Sequence, residues 1–203
     1  MSRSGCGVWR SAAALLFAPV VLWPQVIEFR SSGLDYQVLT RSGLTVMCAT
    51  MPLRTSRYSL LHVAVSNGSE RAWEIGSRAF TFEYSDGRTI RAEPEQRVID
   101  EFFRKAGRSE LLKLQSAYEA AIFDNRYVRP NNGYEKRRLS ALAMGAKGLK
   151  ASAAAAAIAF VSGKLHPGDS TDGAMFFPTA GRGLKSGRIV ALVDGETFEF
   201  LAR

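Results

Sequence analysis

The chain is poor in the residues that most often carry chemistry, with two cysteines and two histidines among 203 residues. Cys6 lies close to the first residue, so Cys48 is the sole cysteine of the chain that follows, and an intrachain disulfide framework is excluded there. Cys48 lies among Leu44, Val46 and Met47, where a cysteine usually behaves as a small buried hydrophobic side chain. We therefore expect Cys48 in the core.

The two histidines give little support to a catalytic site. His62 lies inside a predicted strand, and His166 precedes Pro167 in a predicted turn. A Ser–His–Asp triad is formally available, but no nucleophile stands in a recognised setting. We predict that the chain is not an enzyme, and we keep an envelope hydrolase that uses one histidine as an alternative.

Two polar stretches share residue types with ligand-binding loops but not their spacing. Asp169, Asp172 and Gly173 suit a calcium loop, yet Gly168 stands where the first ligand is needed and the distal glutamate is missing. Residues 181–186 are rich in glycine and base, like a phosphate loop. They lack a glycine before Lys185, and no helix is predicted after them. We expect turns at both places, with no metal and no cofactor.

The first 24 residues have the layout of a secretory signal. Arg3 and Arg10 precede an apolar stretch at residues 11–23 that is too short for a standard membrane span. Pro19 and Pro24 would interrupt a longer helix. We predict that residues 1–24 are a signal peptide or membrane anchor and that the protein is extracytoplasmic: periplasmic, secreted or membrane-anchored. A clean small-x-small cleavage site is missing, so contact with the membrane through an uncleaved segment stays open.

Alternating apolar residues predict strands before and after a helical stretch. Val38, Val46, Val63 and Phe82 belong to such alternating runs, with Gly43, Gly68 and Gly87 in the turn signals between them. Strand signals resume after residue 163, and a last hairpin is predicted around Asp194 and Gly195.

Between these strands the apolar spacing changes to that of helices. Pro94 suits a first helical turn, and Val98 and Phe102 form part of an apolar stripe. A second helix begins near Ser109, and a third extends over about residues 134–161 with Phe160 on its apolar seam. We predict a helical insertion over residues 94–162 within one immunoglobulin-like antiparallel β-sandwich over residues 35–203. Separate β and helical domains are the alternative.

The strand motifs resemble a known family. They are Val63-Ala64-Val65-Ser66-Asn67-Gly68-Ser69, Phe80-Thr81-Phe82 with Asp86-Gly87, and Leu165-His166-Pro167-Gly168-Asp169-Ser170 with Gly173 and Phe176-Phe177-Pro178. Together they resemble a bacterial exported immunoglobulin-like domain family of unknown function, of the lipoprotein or secreted-antigen type. The resemblance covers about half of the chain and implies a secreted or envelope-attached β-sandwich without known catalysis. The helical insertion departs from the family pattern, which has a short connection there.

One stretch combines basic and aromatic residues in the way that is typical of binding sites for anionic polymers. Its members are Arg126, Tyr127, Arg129, Tyr134, Lys136, Arg137 and Arg138. Ion pairs and stacking on such residues hold anionic chains, and the formal net charge of +8 favours anionic partners. The alternative is a solvated loop whose tyrosines anchor it to the core.

Export together with the lack of a catalytic set favours a non-catalytic binding or structural module of the bacterial cell envelope that contacts another protein. A binder of anionic polymer through residues 126–138 is the further alternative. Predicted export argues against nucleic acid as the partner.

Overall fold

The computed structural model describes residues 25–55, 57–105, 113, 115–116, 118–120 and 157–202. The described elements are β1 (Ile27–Ser31), β2 (Leu34–Arg41), β3 (Leu44–Arg54), β4 (Tyr58–Asn67), β5 (Trp73–Ile75), a 3₁₀ turn (Ser77–Ala79), β6 (Phe80–Tyr84), β7 (Thr89–Arg91), α1 (Glu95–Lys105), β8 (Gly163–Leu165), β9 (Ser170–Pro178), β10 (Gly187–Val193) and β11 (Glu196–Ala202). The predicted signal peptide or anchor at residues 1–24 and most of the predicted helical insertion lie outside the described part of the chain.

The described strands form two antiparallel sheets and one short strand pair. Sheet A has the order β1-β2-β3-β4-β9, sheet B has the order β11-β10-β6-β7, and β5 pairs with β8. Strands from before and after the predicted insertion therefore lie side by side, as β4 with β9 and β6 with β10. The mainly antiparallel β architecture predicted from the alternation is confirmed.

Three two-residue turns connect the hairpins. Ser42 and Gly43 have φ values of 47° and 79°, and Asp194 and Gly195 have 45° and 85°. Two consecutive left-handed residues form the turn that matches the twist of paired strands, which is why glycine takes the second position. Both turns were predicted. The third, at residues 32–33, was not predicted, because β1 is mostly exposed and has no clean alternation.

The inner faces of the two sheets share one apolar core. Its buried members include Leu39, Val46, Cys48, Leu61, Val63, Trp73, Phe80, Phe82, Phe177, Ile189, Phe198 and Phe200. These side chains come from alternate positions of β2, β3, β4, β6, β9, β10 and β11, so the period of two predicted from the sequence puts one face of each strand inward. Cys48 is in this core, as predicted.

The outer face of sheet A is also apolar and buried. Leu60 and Phe176 pack there against Val98 and Phe102 of α1, and Tyr118 and Ile158 belong to the same cluster. Tyr58 of β4 donates a hydrogen bond from its hydroxyl to the Glu101 carboxylate of α1, and Arg57 pairs with the same carboxylate. The described helical residues therefore cover sheet A on the side opposite sheet B. We call this surface the covered face.

The predicted insertion leaves and rejoins the β structure at the edge of β9. The Glu93 N–H donates to the Phe176 carbonyl at 2.8 Å, and the Phe160 N–H donates to the Ala174 carbonyl at 2.9 Å. Phe160 was predicted on a helical seam, and that prediction is wrong. Its backbone is not helical, and its side chain lies in the core between the sheets. Pairing with β9 satisfies its N–H at the sheet edge, which outweighs the helix propensity of the alanines before it.

Helix α1 begins where Pro94 predicts. Residue 95 is its first helical position, and the Arg97 and Val98 N–H groups donate to the Pro94 carbonyl. In the described part of the chain, no helix has the length and apolar content that crossing a membrane requires.

Candidate functional site

The basic and aromatic candidate set lies outside the described residues. This applies to Arg126, Tyr127, Arg129, Tyr134, Lys136, Arg137 and Arg138 alike. The polymer-binding hypothesis therefore stays a prediction from the sequence, and the other candidates are examined on the β structure.

His62 lies on the covered face, in the middle of β4, and its side chain is 0% exposed. Its Nδ1 shares a hydrogen bond of 3.2 Å with the Tyr36 hydroxyl, in which either group can donate depending on the tautomer. Its Nε2 lies 3.5 Å from Asp172 Oδ2 on the neighbouring strand β9, a polar contact without hydrogen-bond geometry. The ring also makes an edge contact with Tyr118 at 5.6 Å.

The contacts around His62 form an aromatic and polar cluster between sheet A and the described helical residues, which we call the polar joint. A hydrolytic histidine needs a nucleophile within reach and access for substrate. His62 contacts tyrosines and a carboxylate, and these contacts are closed to solvent. His166 is exposed in the turn before β9, where its N–H donates to the Asp169 carboxylate. The hydrolase alternative gains no support from either histidine.

Cys48 is held as an unreactive thiol. It is 2% exposed, and burial raises the pKa of its thiol well above the ordinary range for cysteine. A thiol becomes a nucleophile only as the thiolate, which burial among apolar groups disfavours. The sulfur therefore acts as a packing group between the sheets.

The asparagine motif after β4 has a structural role. The Asn67 side-chain amide donates to the Arg71 and Leu165 carbonyls, and its carbonyl oxygen accepts from the Ser69 N–H and hydroxyl. Ser69 in turn accepts a hydrogen bond from the Trp73 indole. Since the Asn67 side chain uses both its donors and its acceptor on the protein, it secures the turn rather than offering groups to a ligand.

Residues 179–186 form a tightly wound loop between β9 and β10, which we call the 179–186 loop. Ala180, Gly181, Gly183 and Ser186 all have positive φ. A strand follows this loop, whereas a phosphate loop leads into the amino terminus of a helix.

The 179–186 loop is tied closely to sheet A. The Ser59 and Thr179 hydroxyls share a buried hydrogen bond of 2.6 Å, and the Ala180 N–H donates to the Arg57 carbonyl. Arg54 of β3 donates from Nη1 to the Gly181 carbonyl at 3.0 Å. These bonds fix the loop beside the end of β3.

A cavity of about 650 Å³ opens where β1, β2 and β3 face this loop. We call it the end cleft. Its apolar lining includes Phe29, Leu34, Met51, Leu60, Leu184 and Ile189. Gln37, Thr50 and Ser59 add amide and hydroxyl groups to the lining. Ligand sites typically have this volume and combine an apolar lining with a few polar groups.

Charges of both signs line the end cleft. Glu28 and Asp35 lie on the β1–β2 side, while Arg54 and Lys185 lie on the side of the 179–186 loop. All four side chains are exposed. Asp35 pairs with Arg30 at 3.5 Å, which offsets part of the acidic side. The sequence does not reveal this site, because Arg54 and Lys185 are far apart along the chain and only the folded sheet brings them to one cleft.

On one side of the cleft, the Gln37 side chain makes the two backbone hydrogen bonds that a neighbouring strand would make. The Gln37 amide donates to the Leu201 carbonyl at 2.9 Å, and its oxygen accepts from the Leu201 N–H at 2.8 Å. Gln37 thereby satisfies the edge of β11 and links the two sheets. Its amide groups are used in the fold, which leaves Thr50 as the nearby polar side chain on β3.

In the described part of the chain, no cluster of three or more His, Cys, Asp or Glu residues is placed to hold a metal ion. The Asp169 carboxylate accepts from the His166 N–H within its own turn, and Asp172 faces His62.

No protein-family model, curated protein or solved structure matches this chain.

Proposed function

We propose that this protein is a non-catalytic binding module that works outside the cytoplasmic membrane and holds a protein partner in the end cleft. The observation that carries the proposal is the cleft itself. It joins an apolar lining to a rim with charges of both signs, next to a loop fixed by hydrogen bonds. A pre-formed cleft binds with little ordering cost, which favours recognition.

The surroundings of the reactive side chains support the non-catalytic part of the proposal. Cys48 is a buried thiol with a raised pKa, and His62 is enclosed by its contacts with Tyr36, Asp172 and Tyr118. Cys48 packs between the two sheets, and His62 packs between sheet A and the described helical residues. Catalysis by either side chain would require these packed layers to separate.

An immunoglobulin-like relationship is part of the proposal, and its support is the pair of packed antiparallel sheets. Strands β1 to β4 follow one another as a meander, whereas immunoglobulin domains use Greek-key connections. The relationship therefore rests on the layered architecture and on the strand motifs.

The extracytoplasmic part of the proposal rests on Arg3, Arg10 and the apolar residues 11–23. Cells that express the full chain can be fractionated and the amino terminus of the protein determined by mass spectrometry. We expect the protein outside the cytoplasm or on its membrane. An intact protein recovered in the cytoplasmic fraction would contradict export.

Selection of a displayed random-peptide library on the purified full chain tests the binding part. Thr50→Trp places a large side chain in the cleft, and Thr81→Trp is the matched control on sheet B. We expect peptides to be enriched on the wild type and on Thr81→Trp but lost on Thr50→Trp. Enrichment on all three proteins, or on none, would contradict the proposal. Circular dichroism of both variants verifies that they are folded.

A further inference from the structure

We infer that the end cleft recognises an acidic polypeptide segment, with carboxylates bound at the 179–186 loop and apolar side chains inserted beside them. This inference rests on the proposed function and specifies the chemistry of its ligand. It follows from how charge is distributed around the cleft.

Five of the cations described elsewhere pair with carboxylates of the fold. Arg57 pairs with Glu101, and Arg97 pairs with Glu93. The other three cations are Arg30, which pairs with Asp35, Arg88, which pairs with Asp86, and Arg188, which pairs with Glu83 and Glu199. The positive charge of these cations is offset within the fold, so they attract an anionic ligand only weakly.

The cations at the 179–186 loop differ. Arg54 donates to the Gly181 carbonyl and Arg182 to the Thr179 carbonyl, so both contact neutral groups. Lys185 lies close to Gly183, with its Cγ 3.8 Å from the position that a Cβ on Gly183 would take. Within the described residues none of the three has a carboxylate partner. Arg182 and Lys185 on the loop and Arg54 at the end of β3 are all exposed, and they attract anions because their charges add.

The lining next to these cations favours a polypeptide over an acyl chain. Thr50 lines the cleft with a hydroxyl group, and burial under hydrocarbon would leave that hydroxyl without a hydrogen bond. A polypeptide supplies donors and acceptors at every residue, together with apolar side chains that can contact Phe29 and Leu184. Its chemistry therefore matches both components of the lining.

The opposite side of the cleft gives the segment a direction. Glu28 and Asp35 repel carboxylates, so acidic residues of the ligand are favoured at Arg54 and Lys185 and disfavoured at the β1–β2 hairpin. A segment that is acidic along its whole length should bind more weakly than one whose acidic residues lie at one end.

Fluorescence anisotropy with labelled synthetic peptides tests the inference on the full chain. The probes are a short acetylated peptide with aspartates at one end and leucines at the other, the same peptide with lysines in place of aspartates, and a fluorescent fatty acid. We expect the aspartate peptide to bind, the lysine peptide to bind at least about tenfold more weakly, and added salt to weaken the aspartate complex. Equal binding of both peptides, or preferential binding of the fatty acid, would overturn the inference.

Charge reversal on the protein provides the second arm. The double variant Arg54→Glu with Lys185→Glu should lower affinity for the aspartate peptide about tenfold or more. Arg78→Glu with Arg91→Glu makes the same change in net charge at exposed positions outside the cleft and should lower it less than about threefold. Similar losses in both double variants would indicate unspecific attraction and would overturn the inference.

Failure of the acidic-ligand inference can be distinguished from failure of the proposed binding function. If library selection enriches peptides that depend on an open cleft but carry no acidic residues, the proposed binding function stands and the acidic-ligand inference is wrong. If no peptide depends on the cleft, the proposed function itself fails.

Discussion

The outer faces of the two sheets differ in solvent exposure. On sheet A, Leu60, His62 and Phe176 face outward and are at most 1% exposed, because the described helical residues lie over them. On sheet B, Leu192 and Leu201 face outward and are 58% and 61% exposed. Sheet A is thus an internal layer with apolar residues on both faces, while sheet B keeps a solvated face with the usual alternation. The comparison directs the search for binding surfaces away from the covered face.

The largest effect should come from removing a large ring on the covered face. Phe176 makes edge contacts with the Tyr58 and Phe102 rings. Phe176→Ala removes these contacts and leaves a cavity, so we expect it to lower the free energy of unfolding by about 3–5 kcal/mol. Urea denaturation followed by tryptophan fluorescence measures the change. Leu192→Ala on the solvated face of sheet B should stay within about 0.5 kcal/mol of the wild type. Equal losses in the two variants would contradict the difference between the faces.

A smaller loss is expected at the edge of β9, where the chain rejoins the sandwich. A Cβ on Gly173 would meet the backbone of Phe160 and Ala159 at less than contact distance. Gly173→Ala must displace that backbone, and we expect a loss of about 2–3 kcal/mol in unfolding free energy. Gly163→Ala is the control, since a Cβ there meets nothing within 4 Å. If Gly173→Ala is as stable as Gly163→Ala, the close approach of residues 159–160 to β9 is wrong.

The polar joint on the covered face should contribute less than the rings around it. His62→Leu removes the hydrogen bond to Tyr36 and the contact with Asp172, and we expect a loss of about 2 kcal/mol measured by the same denaturation. His166→Leu changes an exposed histidine and should cost less than about 0.5 kcal/mol. A neutral His62→Leu variant would mean that the imidazole does not stabilise this joint.

The smallest effect belongs to the solvated face of sheet B. Arg188 pairs there with Glu83 and Glu199, and its side chain is half exposed. Arg188→Ala should lower the unfolding free energy by less than about 1 kcal/mol, because exposed ion pairs gain little over hydrated charges. Raising the salt concentration should reduce the difference further. A loss above about 2 kcal/mol would show that this face is not solvated as described.

The sequence was sufficient for elements whose signals are local. Alternating residues and turn pairs such as Ser42–Gly43 and Asp194–Gly195 mark hairpins because backbone twist and left-handed φ are set by adjacent residues. Pro94 marked the start of α1 for the same reason. The short strand β5 and the exposed strand β1 lack these local signals and were missed.

The candidate site could not be predicted in the same way. The end cleft depends on Arg54 and Lys185, which the folded chain brings to one cleft from different strands and loops. Phe160 was misplaced because its spacing fits a helical seam, while the carbonyl of Ala174 that pairs with its N–H is known only once β9 is in place. Long-range pairing decided both features, and neither residue periodicity nor composition carries that information.

Hydroxyl-radical footprinting of the full chain, read by mass spectrometry in the native and urea-unfolded states, tests the central claim most directly. The claim is that sheet A is sealed on its outer face while sheet B is solvated on its outer face. Phe176 and Tyr58 should be strongly protected in the native state, and Leu192 and Leu201 should react at nearly their unfolded rates. Similar protection of the two pairs would contradict the account and would reopen the covered face as a binding surface.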